Sequence, residues 1–510
     1  MNPHAKLDRQ FVWHPFTQMR DWLAHEPIVI AEGKGAVLRD IRGREYLDAN
    51  SSIWTNLHGH NHSKINSAIH RQLKKIAHSS ALGLANEPAS LLAKQLVESA
   101  NQSWSPAFRL SGGRLKPELQ QARQSQIANR KLAKVFFSDD GSTALEVALK
   151  LACQFTRRIR DKKAGRAPSQ AAQPKFLSLE GAYHGDTVGA VSLGHIDLFH
   201  KAYAGLLFKT DKVMSPYCYR CPFNRAKPER ADAREYRKCN WECVGMVDQK
   251  FSTQKKKGNT YAAFVFEPAI QGAAGIIPQP ETWLKQVSEI ARSHGSLLIA
   301  DEVMTGFGRT GVSKAESGKR KVEILFACQR EGVQPDFLCL AKGLTGGYLP
   351  MAATLTTQKV FDAFLGEYHE FKTFFHGHSY TGNQLGAAAS LASLEILQSK
   401  KSIRARQKLE AVLRDELKSL WHAPNVGDIR QVGLIAGVEL VKDWRTREPF
   451  DLRERAGIRV CDAMAKRGVL TRPVGNVIVL MPPYCTTPGQ MRKIAAVLGI
   501  AIAETFPLKK

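Results

Sequence analysis

Short apolar runs alternate with longer amphipathic stretches between about residues 80 and 355. The runs fall at 134–138, 175–179, 262–266, 296–300 and 337–341, and most are continuously apolar rather than alternating. Such runs predict strands covered on both faces, as in a parallel sheet packed between helices. The stretches between them carry a helical period. Over 143–158, Leu145, Leu149 and Ala152 share one face, while Lys150, Arg157 and Arg158 lie off it. Beyond 355 the texture changes to helices over 383–397 and 403–420 and shorter strands over 429–440 and 475–481. Hairpin-like pieces at 28–30, 35–40 and 44–48 are expected to pack with that second unit. The predicted class is α/β: a large domain (76–355) with a mixed, mostly parallel sheet between helices, and a smaller α+β domain built from both termini (1–75 and 356–510). Residues 103–130 and 217–245 read as inserted loops.

Composition narrows the picture only in part. At 510 residues, with 43% hydrophobic and 24% charged positions, the chain is long enough for two domains of ordinary globular make-up. Its start, Met-Asn-Pro-His-Ala-Lys-Leu-Asp, has no apolar leader, and the ten apolar-rich residues at 494–503 are too few to span a bilayer. A cytoplasmic location without membrane contact is expected. The net charge of +26 invites comparison with nucleic-acid binders, but the excess sits in 109–134, 220–237, 250–257 and 314–321 and lacks base-reading spacing. A solvated basic surface and no nucleic-acid partner are expected. Of nine cysteines, four cluster as Cys218-x2-Cys221 and Cys239-x3-Cys243. That spacing approaches a structural zinc site, with iron–sulfur as a second choice; the alternative is a surface loop with reduced thiols.

The candidate chemistry lies at strand ends. Lys342 ends the 337–341 run, and Asp301 ends the 296–300 run 41 residues earlier. An amine and a carboxylate at the tips of buried strands match the needs of a pyridoxal phosphate enzyme: the lysine bonds to the cofactor aldehyde, and the aspartate holds a proton on the pyridine nitrogen. Solvated strand ends are the alternative for these two residues taken alone. Gly141 and Ser142 open a helix directly after a strand, where free amides favour phosphate. Tyr183, in Gly181-Ala182-Tyr183-His184-Gly185-Asp186-Thr187, could stack on a planar cofactor or simply fill core.

Several segments occur together and in order: Trp13-His14-Pro15-Phe16-Thr17-Gln18-Met19, Asn56-Leu57-His58-Gly59-His60-Asn61-His62, Tyr183-His184-Gly185-Asp186, the 301–311 loop, Ala341-Lys342-Gly343-Leu344-Thr345-Gly346-Gly347, and His376-Gly377-His378-Ser379-Tyr380-Thr381-Gly382-Asn383. With them the chain resembles the class III pyridoxal phosphate aminotransferases over nearly its whole length. The resemblance implies the pyridoxal phosphate fold type I and a homodimer with shared active sites. It assigns Lys342, Asp301 and Tyr183 to catalysis. Gly141, Ser142, Tyr183, Asp301, Lys342, His378 and Ser379 are assigned to the cofactor, with Gly377, His378 and Ser379 reaching in from the partner. Phe16, Ile53, Trp54, Tyr183, Asp186, Arg309, Lys342, Gly377 and Arg472 are assigned to small-molecule substrates, Arg472 to a carboxylate. Within the family, the late Thr471-Arg472-Pro473-Val474-Gly475 and Met481-Pro482-Pro483 segments point to the branch that aminates 8-amino-7-oxononanoate to 7,8-diaminononanoate in biotin formation. S-adenosylmethionine is the expected amino donor; lysine as donor, or a sibling ω-amino-acid aminotransferase, are the alternatives. Phe16 and Ile53 stand where the adenosylmethionine-using members carry tyrosine and tryptophan, and resemble relatives that use lysine.

Overall fold

A computed structural model describes residues 1–102, 130–164, 174–311 and 324–507, with side chains of 160–164 left aside. The expected insertion over 103–130 and the basic stretch 314–321 therefore fall almost wholly outside the described residues. Seven strands form the main sheet in the order Leu132–Ser138, Ala352–Thr357, Phe337–Leu340, Leu297–Asp301, Tyr261–Phe266, Lys175–Leu179, Asp211–Val213. Ala352–Thr357 runs antiparallel to both of its neighbours, and the other pairings along the sheet are parallel. Val265, Phe266, Ile299 and Phe337 are wholly buried, which is why these strands read as unbroken apolar runs. Helix Gly141–Ala164 packs across the sheet with Ala144, Leu145, Ala148, Leu149 and Ala152 in its core.

Sheet register places the site. Asp301 sits opposite Cys339 on the adjacent parallel strand, and Lys342 follows three residues later. Both groups thus emerge from the carboxyl ends of neighbouring strands, where open α/β sheets bind ligands.

Both termini build the remaining layers. Glu45–Asp48 pairs parallel with Val469–Leu470, so a strand from each end of the chain shares one sheet. A second antiparallel sheet holds Val426–Val432, Ile435–Asp443, Val477–Leu480 and Pro473–Val474. The strand expected over 429–440 is in fact a hairpin. It turns at Gly433 (φ 61°), where a Cβ would lie 2.2 Å from the Thr310 carbonyl carbon, so only glycine fits. The basic stretch 250–257 falls mostly within the regular helix Glu242–Lys256 rather than forming an insertion. Among the described residues, no helix is long and apolar enough to cross a membrane.

Candidate active site

The carboxyl ends of the sheet open into a cavity of about 650 Å³ lined by Lys342, Asp301, Tyr183, Trp54, Gly141 and Ser142, among others. Asp301 is 5% exposed and its carboxylate is fixed from two sides. Val303 N donates to Oδ1 (3.0 Å), and His184 Nδ1 bonds Oδ2 (2.7 Å). His184 is buried. Burial opposes its charge, but the Asp301 bond and field win and raise its pKa. Lys342 has a left-handed backbone (φ 42°), a strain that non-glycine residues carry mainly where function holds them. Its Nζ lies 4.6 Å from the Trp54 ring centroid, and burial holds its pKa below the usual lysine value despite Asp301 and Glu267 nearby.

Trp54 reaches the cavity from an unusual turn. Ser51, Ser52, Ile53 and Trp54 all have positive φ (46°, 46°, 64° and 71°). Asp48 pins this turn by accepting from Asn50 N (3.2 Å), Ser52 N (3.1 Å) and Ser52 Oγ (3.0 Å). Ile53 itself points largely to solvent, 45% exposed.

At the other wall, Gly141 and Ser142 begin helix Gly141–Ala164. Thr187 N donates to Ser142 Oγ (2.9 Å), which draws the 185–187 loop onto the helix end. Gly185 has φ 118°, and a Cβ there would lie 2.4 Å from Ser142 Oγ, so glycine is required for this approach. Gly141 and Ser142 line the cavity at the amino end of the helix, where free amides and the helix dipole suit an anion. Tyr183 donates its hydroxyl to Asp186 (2.6 Å); burial, then that bond, raises its pKa, so the phenol stays neutral. The donor set fits pyridoxal phosphate: a buried amine, a histidine-braced carboxylate, an aromatic face and a helix-end cradle share one cavity.

Other expected residues lie away from the cavity lining. Arg309 is 1% exposed; its Nη1 donates to Pro482 O (2.7 Å) and its guanidinium lies 4.9 Å over the Tyr484 ring. It is not among the residues lining the cavity, and its Nε and Nη2 are buried with no hydrogen-bond partner among the described residues. Phe16 is exposed, with its ring centroid 6.4 Å from Tyr183. Arg472 is exposed between Val469–Leu470 and Pro473–Val474 and pairs with no carboxylate among the described residues. His378 Nδ1 pairs with Asp139 (3.2 Å), a cavity residue, and Ser379 O accepts from His78 (3.0 Å). Gly377 meets no atom within 4 Å of an added Cβ.

The metal expectation does not hold. Among the described residues no group of three or more His, Cys, Asp or Glu side chains is arranged to hold an ion. Cys218 packs with Tyr219 and Ala233, whereas Cys243 joins the main core. Burial, with the other clustered cysteines adding to it, pushes the Cys218 thiol up to about 12 and the Cys243 thiol up to about 11. Cys221 and Cys239 are likewise free thiols.

Sequence reasoning missed two cavity residues, His184 and Glu267. Glu267 follows strand Tyr261–Phe266 as Asp301 ends its own strand, so the same strand-end rule finds it. It is fully buried, its Oε2 accepts from Gly272 N (2.8 Å), and burial lifts its pKa to about 7. His184 was visible beside Tyr183, but nothing in the sequence pairs it with Asp301 117 residues away.

Comparison with known proteins agrees with this geometry. The class-III aminotransferase family matches residues 19–502. The adenosylmethionine-8-amino-7-oxononanoate aminotransferase of Geobacter sulfurreducens is 45% identical over 480 residues, covering 94% of this chain and 93% of its own. The Methanocaldococcus jannaschii protein of the same name is 40% identical, covering 98% and 97%. A crystal structure of the M. jannaschii enzyme superposes with a TM-score of 0.80 at 36% identity over 98% of each chain. The omega transaminase of Pseudomonas jessenii in complex with PMP superposes at 0.81 and 25% identity, covering 99% and 98%. The architecture is thus fold type I of the pyridoxal phosphate enzymes, and the chain belongs to the class-III aminotransferases.

Proposed function

We propose that the protein transfers an amino group to 8-amino-7-oxononanoate, forming 7,8-diaminononanoate in biotin synthesis, with S-adenosylmethionine as donor. One observation carries the reading: Lys342, the His184–Asp301 pair and the Gly141–Ser142 helix end line a single cavity. Relatives at 40–45% identity bear the name of that activity.

When bound, pyridoxal phosphate supplies an aldehyde for amine exchange and a protonated ring that accepts an electron pair. Asp301 would hold the proton at the ring nitrogen, and His184 keeps that carboxylate in place. Gly141 and Ser142, at the amino end of the helix, would hold the phosphate. Lys342 Nζ, whose pKa burial holds below the usual lysine value, would be the group that moves the proton at the amine-bearing carbon of donor and acceptor. Trp54 and Tyr183 exclude water on either side. Arg472, which pairs with no carboxylate among the described residues, would pair with the acceptor's carboxylate through its planar fork. Gly377, His378 and Ser379 complete the neighbouring site of a homodimer. Phe371, Phe375 and Tyr380, 68%, 72% and 62% exposed, flank them and supply apolar surface for that contact. Loss of a charged hydrogen bond predicts that Arg472→Ala raises KM for the oxononanoate about ten- to a hundredfold. Steady-state kinetics with both substrates test this. An unchanged acceptor KM with an altered donor KM would contradict the assignment.

A further inference from the structure

Phe199 belongs to no motif in the sequence, yet its ring neighbours Tyr183, which lines the cavity. It lies on the short helical turn Asp197–His200. Its ring centroid is 5.4 Å from Phe16 at 69° and 6.2 Å from Tyr183 at 81°, while Phe16 and Tyr183 are 6.4 Å apart at 71°. Three ring planes therefore meet near right angles, as the walls of a corner. His200 lies parallel to Tyr183 at 6.4 Å and 10°, and packs edge-on to Phe199 at 6.1 Å and 79°, so one buried side chain braces two of the walls. The Asp186 carboxylate is bonded to the Tyr183 hydroxyl at the same corner. Phe16 is 63% exposed and its ring is open to a ligand.

Perpendicular aromatic walls beside a carboxylate suit a cation with little hydration. The ring quadrupoles attract the charge, and an apolar surface costs a sulfonium or alkylammonium little desolvation. We propose that Phe199, with Phe16 and Tyr183, forms an aromatic corner that selects an amino donor carrying a second positive charge. This inference rests on the transaminase reading above and assigns a donor-specificity role to Phe199. It also accounts for Phe16: a ring without a hydroxyl still supplies a wall.

The shared chemistry is a sulfonium or an ammonium, and paired ligands separate the two. Holoenzyme is titrated with S-adenosylmethionine and with S-adenosylhomocysteine, its uncharged thioether, and separately with lysine and norleucine. Dissociation constants are read from the cofactor absorbance change. In the pair that contains the working donor, the charged ligand binds about tenfold tighter in the wild type, within the range of a partly desolvated cation–π contact. Phe199→Leu, of similar bulk, brings the ratio to within about twofold, and Phe199→Trp raises it above wild type. If the leucine variant does not fold, the tryptophan variant decides by the direction of the ratio. Equal ratios in the wild type, or a ratio that ignores residue 199, overturn the inference. Wild-type amination of the oxononanoate with a flat ratio would remove this inference alone; absence of that amination would remove the reading beneath it.

Discussion

Three ionisable groups crowd around Lys342: Asp301, His184 and Glu267. Glu267 has the clearest pH signature. Burial lifts its pKa from 4.5 to about 7, so the native state holds a proton that the unfolded chain releases between those values. Its contribution to stability is full below about pH 4.5 and is lost as pH rises through about 7. Glu302, also fully buried and at about 7, adds the same trend. Glu267→Gln keeps the shape without the titration. Its thermal stability relative to wild type is therefore expected to improve between about pH 5 and pH 8, by on the order of 2 kcal/mol. Calorimetry at the two pH values checks this; a parallel decline in both proteins would contradict it. Lys342, Asp301, Tyr183, Gly141, Ser142 and Trp54 were legible at this scale because each sits at a strand end or within an ordered motif. Phe199 and His200 were not, since a ring corner depends on distances across the fold that no spacing along the chain encodes.

The elements were read best where burial is two-sided. The strands ending at Asp301 and Leu340 were expected within a residue or two of where they lie. The Val426–Val432 and Ile435–Asp443 hairpin was read as one strand, because a single glycine turn between two apolar runs leaves little trace in hydropathy. The left-handed turn at Ser51–Trp54 left none, since serine, isoleucine and tryptophan rarely adopt it. That turn gives a sharp test. Ile53→Ala removes the side chain but keeps the strain at φ 64°, whereas Ile53→Gly relieves it. Left-handed backbone costs an L-residue about 1–2 kcal/mol, more than glycine's extra chain entropy of about 0.5–1 kcal/mol. The glycine variant should therefore melt at a higher temperature than the alanine variant, the reverse of the usual order. The same or lower melting temperature for glycine would show that the turn is not strained.

Across the whole molecule, a buried charge network ties the 217–245 segment to the C-terminal sheet and to the loop beside the cavity. Arg430 bonds Asp428 (3.0 Å), Glu439 (2.6 Å), Gly275 O (2.5 Å) and Ile276 O (2.7 Å). Tyr217 donates to Glu439, and Arg220 adds a bond to it at 2.7 Å. The segment read as an insertion thus braces the site through side chains. Arg430→Ala leaves Asp428 buried without its cation and Glu439 with Arg220 alone, and should destabilise the protein by about 3–5 kcal/mol, read from denaturant midpoints. A loss below about 1 kcal/mol would show that water replaces the guanidinium.

The account turns on Lys342 as the residue joined to the cofactor. Borohydride reduction of the yellow holoenzyme followed by peptide mapping tests this directly. The account predicts a phosphopyridoxyl group on the peptide containing Lys342 and its loss in Lys342→Ala. An adduct on another lysine, or none from pigmented protein, would contradict it.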